Sequence, residues 1–169
     1  GLIMITLLLL ILHVYLKLEN MQTTGAFKVR GAYNKLANLS QEEREKGVVA
    51  ASAGNHAQGV AFSATKLGMQ STIFMPIFTP PLKVLATKGY GANVVLMGDS
   101  FDDAFIGSQE YTKEHNATYI HPFNDPLIIA GQGTIGLEVY EQMPDVDAVI
   151  VPIGGGGLIA GIAMAIKEM

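Results

Sequence analysis

The sequence predicts an α/β protein built on parallel β-sheet. Two features carry the prediction. Short runs rich in Val, Ile and Ala alternate with helical segments of about ten residues, and the points where an apolar run gives way to a helix are rich in glycine and small polar residues. Strands of a parallel sheet read as unbroken apolar runs because helices cover both faces.

Taken in order, Val14–Glu19 (VYLKLE) reads as a strand, and Phe27, Ala32, Tyr33, Leu36 and Leu39 recur at helical spacing over 27–39. Ser40 and Glu43 form a capping box that opens a short polar helix, stopped at Gly47. Residues 48–51 (VVAA) form a strand, 55–67 a helix closed by Gly68, and 71–75 (STIFM) a strand ended by Pro76. Pro80 or Pro81 opens a helix that runs to about Lys88. Asn93–Met97 is a strand, Asp99–His115 a helix and Thr118–Ile120 a strand. Beyond them, 136–143 is helical, 147–153 a strand and 158–167 a helix. The βα units are compact over 47–121. The expected organisation is therefore a small lobe (47–121) inserted between two pieces of a larger one (1–46 and 122–169).

Composition narrows the function classes. With 11 Lys+Arg against 15 Asp+Glu, the net charge is −4, and no basic block occurs, which disfavours nucleic acid and anionic membrane surfaces as partners. Cysteine is absent, which removes disulfides, thiol nucleophiles and cysteine metal sites and suits a reducing cytoplasm. The stretch 2–12 (LIMITLLLLIL) is apolar apart from one Thr. It is shorter than the about 20 residues that span a bilayer, and it lacks the basic region and cleavage site of a signal peptide. A buried strand or helix is the expectation there, with a membrane role as the alternative. Gly1 in place of Met reads as a cut or processed start.

Three glycine-rich stretches follow apolar runs: SAGNHAQG (52–59), GQGTIG (131–136) and GGGG (154–157). GQGTIG satisfies the pattern of a dinucleotide-binding turn, but the following strand ends at Gly154 with no acid to hold a ribose, so that reading is disfavoured. Gly154–Gly157 directly follow a Val/Ile-rich run and precede an apolar helix. Such a turn presents several N–H groups to one phosphate, the alternative being a flexible joint. No GK[ST] follows any glycine loop, which excludes a P-loop. Lys28 stands where the first long helix begins. Partial desolvation and the positive helix end would lower its pKa and suit Schiff-base chemistry, although spacing alone favours a lysine that snorkels to water. His13, His115 and His121 lack a second ligand at metal-binding spacing, and no metal site is expected.

LKLENMQTTGAFKVRGAYNKL, ASAGNHAQGVA, AGQGTIGLE and VIVPIGGGGLIAGIA, in that order, closely resemble the threonine/serine dehydratases. These share the tryptophan synthase β-like fold (fold-type II pyridoxal-phosphate enzymes) with serine racemase. The resemblance runs from about Val14 to the end, and it implies pyridoxal 5'-phosphate as cofactor. It makes Lys28 the cofactor-linked lysine and the base at the substrate Cα, with Phe27 packed beside the cofactor. It implies that Asn55 bonds the cofactor's phenolic oxygen and that Gly154, Gly155, Gly156 and Gly157 hold its phosphate. Ser52, Ala53, Gly54, Asn55 and His56 would meet the substrate carboxylate, and Gln132 and Gly133 would face the substrate. The implied reaction is β-elimination from L-threonine or L-serine to a 2-oxo acid and ammonia, as in isoleucine biosynthesis, by a cytoplasmic homo-oligomer.

Departures from the family pattern also carry information. Where racemases have Ser before Gly-Asn-His, this chain has Ala53, and a methyl group moves no proton, so elimination is favoured over serine racemisation. Ala26 stands in place of a family Ser. Family members continue past the glycine run with more of the large lobe, a cation site and a partner for the pyridine nitrogen. The expectation is a chain truncated at its C-terminus, and the alternative function is a catalytically impaired, cofactor-binding remnant.

Overall fold

A computed structural model describes residues 2–7 and 12–169. Leu2–Leu7 (β1) and Leu12–Lys17 (β2) pair antiparallel, with Leu2 opposite Lys17 and Leu7 opposite Leu12. The first part of the apolar stretch is thus a strand. Its residues 8–11 lie outside the described ones. The strand expected over 14–19 starts earlier and ends at Lys17, because Glu19–Met21 form a single tight 3-10 turn.

The chain then builds a doubly wound unit. Helix α1 (Lys28–Ala37) buries Val29, Gly31, Ala32 and Leu36. The predicted capping box holds α2 (Gln41–Lys46): Ser40 Oγ accepts from Glu43 N–H, and the Glu43 carboxylate accepts from Ser40 N–H. Strands β3 (Val48–Ala51), β4 (Ser71–Met75), β5 (Asn93–Leu96) and β6 (Thr118–Tyr119) alternate with α3 (Asn55–Lys66), α4 (Pro81–Gly89) and α5 (Phe101–His115). The strands are parallel in the order β5-β4-β3-β6.

Alternation within the strands explains their wholly apolar character. Val48, Ala50, Ile73 and Met75 face one cluster with Val60 and Ala64 of α3 and Val84 of α4. Val49, Ala51 and Phe74 face the other side, against Ala104 and Tyr111 of α5. Helices cover both faces, which makes three layers. A fully buried Ile73 or Leu36 contributes about 1.5–3 kcal/mol relative to the same side chain in water.

Two expectations need correction. Residues 126–142 are a single helix, α6 (Pro126–Gln142), so GQGTIG is no strand-to-helix turn and the helix begins ten residues before Gly136. Asp125 caps it, its Oδ1 accepting from the N–H groups of Leu127 and Ile128. Residues 147–153, read as a strand, pair with no described strand, and Ile150 is 97% exposed. A strand exists through a neighbour that takes up its backbone groups, and among the described residues none runs beside this one. Helix α7 (Gly157–Lys167) closes the chain. No helix among the described residues is long and apolar enough to cross a membrane.

Candidate active site

In the four-stranded sheet the chain winds outward from β3 through β4 to β5, then returns to place β6 on the other side of β3. The loops after β3 and β6 therefore diverge and leave a crevice at the carboxyl ends of these strands, where ligands of open parallel sheets bind. His56, in the first turn of α3, bridges the two loops: its Nε2 lies 2.9 Å from the Ile120 carbonyl. Burial pulls its pKa down to about 4, so the ring is neutral at pH 7. A carbonyl only accepts, so Nε2 carries the proton. His56 is a strut whose ring is unavailable to a substrate, leaving only its main chain for the role the resemblance implied.

Lys28 opens α1 and reaches into this crevice. Its Nζ donates to the Pro122 carbonyl at 2.6 Å and stands 5.4 Å from the centroid of the Phe27 ring. Burial lowers its pKa below that of an ordinary lysine. The positive end of α1 acts in the same direction. The amine is therefore easier to deprotonate than one on the surface, as nucleophilic attack on a carbonyl requires.

A cavity of about 230 Å³ adjoins it, lined by Phe27, Lys28, Pro122, Phe123, Gln132 and the whole run Gly154–Gly157. Gly156 caps α7 with φ +86°, a conformation that favours glycine. The first N–H groups of α7 have no carbonyl of their own helix to meet and are suited to an anion, aided by the helix dipole. Phe123 explains why the neighbouring positions are bare. A Cβ on Gly155 would lie 2.6 Å from its Cε1, and one on Gly157 2.7 Å from its carbonyl oxygen. The amine and the anion grip thus share one cavity.

The spacing between them is set by α6. A Cβ on Gly131 would sit 2.6 Å from Gly31 Cα in α1, one on Gly133 3.0 Å from Gly161 O in α7, and one on Gly136 2.9 Å from Ile162 O. The glycines of GQGTIG are thus helix-packing positions, one toward α1 and two toward α7. Gly133 accordingly packs on α7 and is not among the residues that line the cavity. The adjacent Gln132 does line it. Its side chain is buried, and its Oε1 accepts from Gly31 N–H at 3.2 Å.

The loop after β3 bounds the crevice on its other side, outside the cavity itself. Ser52 Oγ accepts from Gly54 N–H at 3.2 Å, Ala53 and Gly54 are half-buried, and Asn55 is exposed at the start of α3. None of Ser52, Ala53, Gly54 and Asn55 lines the cavity that holds Lys28. What this loop offers is the amino-terminal N–H groups of α3, a site suited to a carboxylate.

Sequence reasoning missed Pro122 and Phe123, which lie a short step beyond β6 at the carboxyl edge of the sheet. Their position after a strand was the available signal. It also missed Arg30. The Arg30 guanidinium donates through Nε and Nη2 to both oxygens of Glu19, through Nη1 and Nη2 to both oxygens of Glu138, and through Nη1 to Thr134 Oγ1. Lys17 pairs with Glu138 as well, at 2.5 Å. Hydrogen bonds from Arg30 lead the causes that hold the Glu138 carboxyl at about 2. Among the described residues no cluster of His, Asp and Glu suits a metal.

The family of pyridoxal-phosphate dependent enzymes matches residues 8–169, and the chain belongs to it. It is 57% identical over 157 residues to the L-threonine ammonia-lyase of Thermotoga maritima, covering 93% of this chain and 39% of the relative. Among solved structures, the processed threonine deaminase isoform 2 of Solanum lycopersicum superposes with a TM-score of 0.90 at 49% identity, covering 92% of this chain and 43% of that one. Maize serine racemase gives a TM-score of 0.90 at 42% identity, covering 92% and 47%. The chain thus spans less than half the length of these relatives. The family's cofactor is pyridoxal 5'-phosphate, and the residues present fit it. Its aldehyde would meet an amine whose proton burial has loosened, and its phosphate a helix start kept clear of side chains.

Proposed function

We propose that this chain forms the cofactor-binding part of a threonine/serine ammonia-lyase that eliminates water from L-threonine or L-serine to give a 2-oxo acid and ammonia. The observation that carries the reading is that Lys28 and Gly154–Gly157 line one cavity. Lys28 would hold the aldehyde carbon, Gly154–Gly157 and the start of α7 the phosphate, Phe27 the ring flank, and Asn55 the phenolic oxygen. Bound there, pyridoxal phosphate supplies an electron sink that acidifies the substrate Cα–H bond.

The chain's own residues do the rest. Lys28 Nζ takes the Cα proton once its amine is free, and burial, which lowers the proton affinity of that amine, favours the unprotonated form a base needs. The Pro122 carbonyl orients the amine from one side. The N–H groups at the start of α3, in the loop Ser52–His56, receive the substrate carboxylate, and Gln132 bounds the cavity on the α6 side. Ala53 offers no hydroxyl to reprotonate Cα from the opposite face, which favours elimination over racemisation.

The reading extends to a small lobe over 47–121, and to a cytoplasmic enzyme that acts in isoleucine formation. It also extends to a homo-oligomer, in keeping with Phe78 and Leu82, apolar side chains 76% and 81% exposed. The bare Ile150, on a stretch with no strand beside it among the described residues, favours a second reading, a fragment that binds the cofactor without turning substrate over.

One experiment separates the two. Protein mixed with pyridoxal phosphate and reduced with borohydride is expected to carry one cofactor on Lys28, and none in Lys28→Ala. Release of 2-oxo acid from threonine or serine supports the lyase; trapping without release supports the fragment. Absence of a Lys28 adduct refutes both.

A further inference from the structure

We infer that Arg30 is the positioning residue for Lys28: its saturated guanidinium fixes the roll of α1 and so fixes where the reactive amine points. The inference rests on Lys28 being that amine, and it concerns what holds it.

A guanidinium has five N–H donors in a rigid plane. In Arg30 all of them are used, on Glu19, Glu138 and Thr134, at 2.5–3.0 Å. The bonds tie together the tight turn that follows β2, the first turn of α1, and α6. At about 100° per residue, Arg30 and Lys28 are turned about 200° from each other around α1, on opposite sides. A side chain locked on one side of a helix dictates where the opposite side faces. The Gly131 contact fixes the same turn, since a Cβ there would lie 2.7 Å from the Arg30 carbonyl oxygen. That contact sets how closely the helices approach, and the fork of Arg30 sets the rotation. Glu19 stands directly upstream of the Thr23–Gly25 segment that delivers the chain to Lys28, so one cation anchors both the approach to the lysine and the helix leaving it.

A lysine in place of Arg30 keeps the charge but provides one point of attachment instead of a planar fork. α1 then gains freedom to roll, the Lys28 amine reaches water, and the burial that loosens its proton is lost. Adduct formation with pyridoxal phosphate reads this directly.

The test uses the 169-residue chain and its variants Arg30→Lys, Thr134→Val and Leu36→Val, the last weakening the same helix without touching the guanidinium. The readout is the rate of the borohydride-trapped Lys28 adduct against pH. In Arg30→Lys the pH midpoint is expected to move up toward that of an ordinary lysine. At pH values well below the midpoint, a move of one unit makes trapping about tenfold slower. Leu36→Val is expected to keep the parent midpoint. Thr134→Val, which removes one of the acceptors and no charge, is expected to shift it in the same direction by less, and it decides the matter if Arg30→Lys does not fold. An unshifted midpoint in the folded Arg30 variant, or in Thr134→Val if that variant alone folds, overturns the inference. So does an equal shift in Leu36→Val. Failure of the parent chain to form the adduct instead counts against the role of Lys28 itself.

Discussion

Gly161→Ala tests whether backbone contact between helices builds the site. A Cβ at 161 would overlap the carbonyl oxygen of Ile129 and lie 2.7 Å from the amide nitrogen of Gly133. Both are main-chain atoms of α6, so no side-chain rotation relieves the overlap. Restoring the 3.4 Å of ordinary contact to the Gly133 nitrogen alone requires α6 and α7 to part by about 3.4 − 2.7 = 0.7 Å, and clearing the closer Ile129 oxygen requires more. A gap of that size forfeits about a quarter to a half of the dispersion energy along the seam, and overpacking of this kind costs about 1–3 kcal/mol. Two main-chain overlaps put this site in the upper part of that range, about 2–3 kcal/mol, and alanine recovers about 1 kcal/mol in helix propensity, so the net loss is expected to be about 1–2 kcal/mol. With a slope of about 2 kcal/mol/M, the urea midpoint should fall by about 0.5–1 M. Gly89→Ala in α4 is the counterpart, because a Cβ there meets nothing within 4 Å. It should raise the midpoint. Equal stability of the parent and Gly161→Ala would refute the account of α6 as a glycine-spaced core.

Other outcomes follow from single groups. His56 is buried with its pKa at about 4, against an ordinary 6.5. The unfolded chain binds this proton as pH falls below 6.5 and the folded chain does not until about 4, so stability falls across that window. The loss amounts to about 3 kcal/mol, and urea titrations from pH 7 to 4 should show this component missing in His56→Gln. Asp125 caps α6 and pairs with Lys35 at 2.8 Å; burial alone would raise its pKa, but that partner and the backbone N–H groups bring it down. Asp125→Ala should lower stability by about 2 kcal/mol in urea unfolding, and Asp125→Asn, which keeps the cap, by less.

The regular part of the molecule was legible because each of its signals is local. VVAA and STIFM are buried on both faces and read as strands without any partner being known, and Ser40 with Glu43 announces a helix start within four residues. The link between Lys28 and Gly154–Gly157 became readable through motifs in a fixed order, although nothing in either stretch shows that they share a cavity. GQGTIG misled because glycine is a poor helix former, so three of them in six residues argue for a turn. Only α1 and α7, distant in sequence, explain why small residues are needed inside α6. Residues 147–153 have the composition of a strand, but composition cannot supply a neighbour. Arg30 looked like an ordinary helix residue, since its partners at 19, 134 and 138 meet it only in the folded chain.

The glycine contacts of α6 have a consequence for selectivity. The amine and the glycine run attach to opposite flanks of one rigid rod, so its thickness gauges the reach between the helices that carry them. One residue added between Gly131 and Gly136 would swing the later glycines by about 100° and unseat α7, whereas the exposed stretch around Pro144 and Asp145 can absorb a change in length. Such a gauge is expected to favour aldehydes whose carbonyl and negative group match that reach, and competition by analogues one methylene longer or shorter for borohydride trapping on Lys28 measures how strictly it does so.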